Sequence, residues 1–280
     1  MMADPTSHNA TARGPAVAPV RPLLQVDELS IAFGGLKAVE RFSLALPRGA
    51  LYGLIGPNGA GKTTIFNLLT GIYRPDCGQI WLDSQNLTGA KPHAIAAAGL
   101  ARTFQNIRLF PSLTILDNVR LAGQLRGRQG LLGTLLRTHH YRAEEATIIQ
   151  KSNQLLDLFE LRERAFEAAD SLSYGHQRRL EIARALATEP KVLLLDEPAA
   201  GLNSREKRQL AETIRDIRDR LGVAILLIEH DMGLVMDICE HIVVVDHGVT
   251  IAAGPPAAVQ DDPKVIAAYL GCGASQASQP

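Results

Sequence analysis

The segment GPNGAGKTT, Gly56 to Thr64, constrains this chain more than any other. It fits G-x-x-x-x-G-K-[ST] and lies between a short apolar run, LYGLI (Leu51–Ile55), and a helical pattern through TTIFNLLTG that Gly71 stops. Strand, glycine-rich turn and helix, in that order, form the context in which this motif cradles phosphate. The residue types supply the reason. Gly56, Gly59 and Gly61, with Pro57, Asn58 and Ala60 between them, let the backbone curl so that successive N–H groups point at phosphate oxygens. The new helix adds the positive end of its dipole. Lys62 can reach the β- and γ-phosphates of a nucleoside triphosphate, the Thr63 hydroxyl can ligate Mg²⁺, and Thr64 closes the motif.

A triphosphate site needs a second Mg²⁺ contact at the end of a neighbouring strand. KVLLLDEP answers that need: four apolar residues, Val192 to Leu195, run into Asp196 and Glu197. Asp196 there can hold the metal, directly or through water, and Glu197 can polarise an attacking water as general base. Lys62 and Asp196 are too far apart in the chain for a simple alternating fold to fill the gap without an insertion. The segment from about Ile107 to Asp170 has helical periodicity and no convincing strand, so it reads as an inserted helical subdomain.

The rest of the chain is consistent with one α/β domain. Alternation in Val26, Leu29, Ile31 and Phe33, then in Phe42, Leu44 and Leu46, predicts half-buried antiparallel strands. GQIWLD after Pro75 reads as another strand. KVLLLD and VAILLIEHD (Val223–Asp231) each follow a charged helical pattern, which argues a mostly parallel sheet with helices on its faces. The last helix is expected from Pro263 to Leu270. Residues 1–22, rich in Ala, Pro and Thr, are expected to be a disordered tail without the apolar core of a signal peptide. Residues 271–280 read as a loose C-terminal tail, which leaves 23–270 as the domain, with the helical insertion at about 107–180.

Composition excludes several classes. The 280 residues carry 29 Lys+Arg against 29 Asp+Glu, so no long-range field gathers nucleic acid or anionic lipid. Cys77, Cys239 and Cys272 are odd in number and far apart, poor material for a disulfide framework or a zinc site. The longest apolar runs, Val192–Leu195 and Val223–Ile228, are strand-sized, so the chain is not expected to span a membrane. His139 and His140 adjoin in the insertion and cannot face the same way on a helix. His241 and His247 lie near the strand IVVVD without ligand spacing, and SREKRQLAETIRDIRDR (Ser204–Arg220) reads as the solvated face of a helix.

Further motifs, in order and spacing, carry a resemblance. LSYGHQ (Leu172–Gln177) precedes the helical RRLEIARALA, RTFQ ends in Gln105 at the entry to the insertion, and IEHD puts His230 after the last core strand. With the phosphate loop and the acid pair, these make residues 24–270 resemble the ATP-binding subunit of ABC transporters. The resemblance implies a P-loop NTPase core with an N-terminal antiparallel β subdomain and an inserted α-helical subdomain, acting as an ATPase with ATP and Mg²⁺. In that family two such domains pair head to tail. By resemblance Ser173 and Gly175, in the signature position, would contact the γ-phosphate held by the partner. Gln105 would sense Mg²⁺ or the attacking water and relay its state to a transmembrane partner. His230 would hold the γ-phosphate and orient Glu197. Phe33 occupies the position where the family stacks an aromatic ring on adenine, although as a residue it also reads as an ordinary core strand position.

Two departures sharpen the match. Tyr174 and His176 replace the second Gly and the Gln of the common signature, and Asn203 in AAGLN stands where an Asp is common. Together with RTFQNIRLF, DEPAAGLN, LLIEHDMGLVM and VIAAYLG, they resemble the ATPase subunit of bacterial branched-chain amino-acid importers. Related ATPases of urea import and lipopolysaccharide export share parts of this pattern. Such a subunit implies a second, non-identical ATPase, two transmembrane permease subunits and, indirectly, a periplasmic binding protein, with no nucleic acid. Its place would be the cytoplasmic face of the inner membrane. Soluble ABC ATPases acting on DNA or ribosomes usually carry two cassettes or long coiled-coil or zinc insertions, and this chain has neither. A small-molecule kinase would lack the signature and the switch histidine.

Overall fold

The computed structural model describes residues 21–126 and 139–276, so the expected disordered tail lies outside the described residues except for Arg21 and Pro22. The first elements are β1 (Leu24–Phe33), β2 (Leu36–Leu46), β3 (Leu51–Ile55), α1 (Lys62–Leu69), β4 (Cys77–Leu82), β5 (Gln85–Asn86), α2 (Pro92–Ala98) and β6 (Leu100–Arg102). After them come α3 (Ile115–Gly123), α4 (His139–Leu158), α5 (Tyr174–Leu186), β7 (Val192–Asp196), α6 (Ser204–Leu221) and β8 (Ala224–Ile228). The chain continues through α7 (Met232–Ile238), β9 (His241–Asp246), β10 (Val249–Gly254), α8 (Pro256–Gln260) and α9 (Pro263–Gln276).

Two sheets form. One is antiparallel, in the order β2-β1-β4-β5. Its apolar alternation slips between Val26 and Leu29, where the β1–β2 register shifts and Glu28 and Arg41 take φ of +46° and +52°. The resulting bulges return Leu29 and Phe42 to the buried face. Phe33, at the end of the alternating run, does not follow it inward; it is 46% exposed.

The second sheet has the order β10-β9-β3-β8-β7-β6, parallel from β9 to β6, with β10 antiparallel on the edge. Its central strands are near-continuous apolar runs, broken in β7 only by the terminal Asp196, because both faces are covered. Leu193, Leu195, Ile225, Leu227 and Val244 pack with the insertion and with Leu210, Ile214 and Ile217 of α6. Val192, Leu194, Leu226, Ile228 and Val245 face the antiparallel sheet together with Ile65, Phe66 and Leu69 of α1. Period-two alternation thus splits one strand between two cores.

Between Ile107 and Asp170 the described residues hold α3, α4 and short 3₁₀ turns, with a single isolated bridge from Thr114 to Ala168 and no named strand. The short elements β5, β6, α2, α7, β10 and α8 escaped the sequence reading, each too short to show a clear period. The last helix does not stop at Leu270 but continues to Gln276 through residues expected to be loose, because no proline interrupts it before Pro280. The run SREKRQLAETIRDIRDR is helical as expected, and only Leu210, Ala211, Ile214 and Ile217 of α6 are buried.

Asn203 has a structural task. Its side chain accepts from the Arg205 and Glu206 amides at 3.0 Å, and Glu206 Oε2 accepts from the Asn203 amide at 2.9 Å, a complete capping box on α6. Replacing Asn203 by Ala is expected to lower the unfolding free energy by about 1 kcal/mol in urea titrations, whereas Asn203→Asp leaves it nearly unchanged.

Candidate functional site

Ligands of open parallel sheets bind beyond the carboxyl ends of the strands. Here the phosphate loop follows β3, Asp196 and Glu197 end β7, and His230 follows β8. Because β8 lies between β3 and β7, His230 stands between the loop and Glu197. A cleft of about 310 Å³ results, lined by Asn58 to Thr64, Glu197 and His230.

The loop is shaped by backbone crowding. A Cβ on Gly56 would lie 2.0 Å from the Val245 carbonyl oxygen, and one on Gly61, at φ +103°, would lie 2.6 Å from the Ala38 carbonyl oxygen. Neither position admits a side chain. The Ala60 amide donates to the Pro57 carbonyl at 3.2 Å, and the Gly248 amide donates to the Ala60 carbonyl at 2.9 Å, which ties the loop to the β9–β10 turn. No side chain caps the first turn of α1, so its leading N–H groups are directed to the loop's concavity. Lys62 is buried and donates from Nζ to the Gly56 and Pro57 carbonyls at 2.5 and 2.8 Å. Burial pushes its pKa below the usual lysine value, while Glu197 and Asp196 oppose that shift.

Glu197 is the centre of the polar cluster. Its φ of +48° is a left-handed conformation costing a non-glycine residue about 1–3 kcal/mol, held by the bond from its amide to the Ile228 carbonyl at 2.9 Å. Gln105 Nε2 donates to Glu197 Oε2 at 2.9 Å, and His230 Nε2 lies 2.8 Å from Oε1. A carboxylate oxygen only accepts, so Nε2 carries the proton in that pair. Three residues from distant parts of the sequence thus meet.

Three features were missed. Asp196 Oδ2 accepts from Arg102 Nη2 at 2.6 Å, and Arg102 Nη1 donates to Asn67 Oδ1 at 2.7 Å, with both members of the ion pair almost fully buried. Arg102 ends β6, whose three residues gave no strand signal. Glu229 is buried beside His230, and its carboxylate accepts from the Ala199 amide at 2.6 Å and the His230 amide at 3.1 Å. Burial raises its pKa, and those backbone bonds partly offset the rise. It was within the quoted IEHD, but nothing in sequence distinguishes a buried acid from an exposed one. The third is an ion pair on α5, Arg178 with Glu181.

Other expected residues lie elsewhere. Phe33 meets the Tyr73 ring edge-on at 5.2 Å and keeps an open face. Ser173 and Gly175 stand at the start of α5 and do not line the cleft. The Ser173 hydroxyl lies 2.8 Å from His176 Nδ1, so the residue replacing the common Gln touches the signature serine. The side chains of His139 and His140 lie outside the described residues, and His241 stacks on Tyr52 at 4.7 Å.

A glycine-rich loop between strand and helix, an acid pair at the end of a second strand and a histidine after a third, over a mostly parallel sheet, define an ATP-binding cassette. The chain belongs to the ABC transporter family, whose model matches residues 39–200, and a model of the branched-chain amino acid ATP-binding cassette transporter matches residues 249–271. It is 46% identical to the high-affinity branched-chain amino acid transport ATP-binding protein LivG of Escherichia coli over 90% of this chain and 98% of that protein. It is 45% identical to BraF of Pseudomonas aeruginosa, which bears the same description, over the same shares of each chain. Among solved structures it is similar to the ADP conformation of MJ1267, an ATP-binding cassette of an ABC transporter, with a TM-score of 0.77 and 29% identity over 89% of this chain and 98% of that one.

The crowding at the loop sets a graded expectation. Gly59→Ala, with φ +82° and no atom within 4 Å of the new Cβ, should cost about 1–2 kcal/mol of stability and leave ATP binding measurable. Gly56→Ala must displace β9 backbone, so ATP should no longer raise its melting midpoint in a thermal-shift titration.

Proposed function

We propose that this chain binds and hydrolyses ATP to drive an inner-membrane importer of branched-chain amino acids, with Glu197 as general base. The observation that carries this reading is the convergence of Gln105 and His230 on the two oxygens of Glu197, at a cleft floored by the phosphate loop. In this reading the loop amides and Lys62 bind the phosphates, and Phe33 offers its open ring face to adenine. Thr63 Oγ1 and the Asp196 carboxylate are hard oxygen donors suited to Mg²⁺. They would hold the ion, which supplies charge neutralisation at the β- and γ-phosphates. Arg102, on Oδ2, orients the Asp196 carboxylate and leaves it its other oxygen. Glu197 takes a proton from water, while His230 and Gln105 fix the direction of its carboxylate.

Partner contacts follow the same reading. Ser173 and Gly175, being outside the cleft, are assigned to the nucleotide of a second cassette paired head to tail. Among the described residues no helix is long and apolar enough to cross a membrane, so the permeation path is assigned to separate subunits. A groove beside the Gln105 segment supports their docking there. It is lined by the exposed apolar side chains Ile72, Phe110, Leu121 and Leu125 and by Arg108 and Arg184. The amino-acid substrate rests on the likeness to LivG and BraF and on the match over residues 249–271.

The test is uptake of labelled leucine, with labelled urea as control, in cells whose own copy is replaced by wild type or Glu197→Gln. Loss of leucine uptake alone is expected. Unchanged leucine uptake in cells without a redundant importer would remove the substrate assignment. In the purified protein, Glu197→Gln should keep ATP binding while hydrolysis falls at least about 100-fold, and Lys62→Ala should lose binding. Full hydrolysis by Glu197→Gln would overturn the base assignment.

A further inference from the structure

The most deeply buried charges in the described residues take no part in the nucleotide cleft. Arg178 and Glu181 lie one turn apart on α5, with side chains 0% and 2% exposed and Nη1 2.9 Å from Oε2. A buried ion pair is weak evidence for stability, since apolar residues of similar volume often replace one without loss. What this pair does is visible in its remaining bonds. Arg178 Nη1 donates to the Phe104 carbonyl and Nη2 to the Gln105 carbonyl, each at 2.7 Å. Glu181 Oε1 accepts from the Phe104 and Arg108 amides, each at 3.3 Å. The planar fork of the guanidinium suits two consecutive carbonyls, a match an ammonium cannot reproduce. One helix therefore grips the backbone of Phe104–Arg108 by both its donors and its acceptors.

The grip is placed between sites. Its N-terminal end carries Ser173 and Gly175. The gripped segment contains Gln105, bonded to Glu197, and Phe104 and Arg108, which line the apolar groove. A third direction comes from Tyr174. Arg178 Nη2 also donates to its hydroxyl at 3.1 Å, and its ring stands against Gly201, in the loop after Glu197, so closely that a Cβ there would be 3.2 Å from Cε1. The aromatic residue at a position where the common signature has glycine thus extends the same network.

We propose that the Arg178–Glu181 pair is a positioning couple that makes the Phe104–Arg108 segment and the signature end of α5 move as one body. Displacing the segment alone would leave the two charges only each other and the Tyr174 hydroxyl, and would break four bonds to backbone at once. Nucleotide engagement at Ser173 and Gly175 therefore alters the groove beside Gln105, and a subunit seated in that groove alters the signature. The inference rests on the reading of the signature and of Gln105 given above.

Hydrogen–deuterium exchange on the full chain tests it, with Mg–ATP added to Glu197→Gln protein that is otherwise unaltered or carries Arg178→Met with Glu181→Met. In the reference protein, residues 172–177 and 104–108 should gain protection at the same ATP concentration. In the double variant, protection at 172–177 should persist, while 104–108 exchange at least tenfold faster and no longer respond to ATP. A response at 104–108 that still follows 172–177 would overturn the couple. If 172–177 gain no protection even in the reference, the signature reading fails and the couple falls with it, a distinguishable result. Should the double variant not melt cooperatively, Arg178→Lys decides. It keeps a charge for Glu181 but cannot span both carbonyls, so a weakened response at 104–108 is expected and an unaltered one refutes the proposal.

Discussion

Parallel pairing of β3 with β8, and of β8 with β7, is the constraint on which the site depends. Leu54 sits opposite Ile228, and Ile228 opposite Asp196, so three strands end level with one another. Whatever follows each strand is delivered to one edge of the sheet: the glycine-rich loop, His230 and the acid pair. The register holds because the strands are buried on both faces. A slip of one residue would exchange the two sets of apolar side chains between the two cores. Hydrophobic burial far from the cleft thereby fixes polar geometry within it.

Charge inside the protein is managed by pairing residues from different elements. Asp196 of β7 meets Arg102 of β6, Glu229 after β8 meets the amide of Ala199 after β7, and Arg178 of α5 meets the carbonyls that follow β6. Removing one member of a buried ion pair such as Arg102–Asp196 typically costs about 3–5 kcal/mol, and a buried charge that loses its backbone partners is costly as well, which makes each a stiff joint. Cys239, packed beneath β3, shows the same interior from its apolar side: burial pushes its thiol up to about 12, leaving it inert. Stiff joints around an exposed cleft suit a protein whose parts must move as whole bodies.

Glu197 joins these themes. It keeps a strained left-handed backbone because β8 supplies a carbonyl for its amide, and its carboxylate is set by Gln105 from one side and His230 from the other. Gln105 belongs to the segment that α5 grips, so the orientation of the proposed base is connected to a helix that does not touch the cleft. Asn203 serves the neighbouring loop as a helix cap, a task its amide performs as well as an aspartate would.

Local rules were enough to read much of this from the amino-acid order. Gly56, Gly59 and Gly61 announce a backbone free to curl around phosphate, Val192–Leu195 announce a buried strand, and Asp196 and Glu197 announce its functional end; the crowding of Gly56 and Gly61 against the Val245 and Ala38 carbonyls is tertiary. The family resemblance that the motifs carry implied Gln105, His230 and Glu197 at one site. What stayed illegible were β6, the pairing of Arg102 with Asp196, the burial of Glu229 and the double use of Arg178 and Glu181 on Gln105's own segment. Sequence determines which residues can curl around a phosphate or pack in a core, because those demands act over a few neighbours. Which charge meets which depends on how strands and helices far apart in the chain are stacked, and only the tertiary structure decides that.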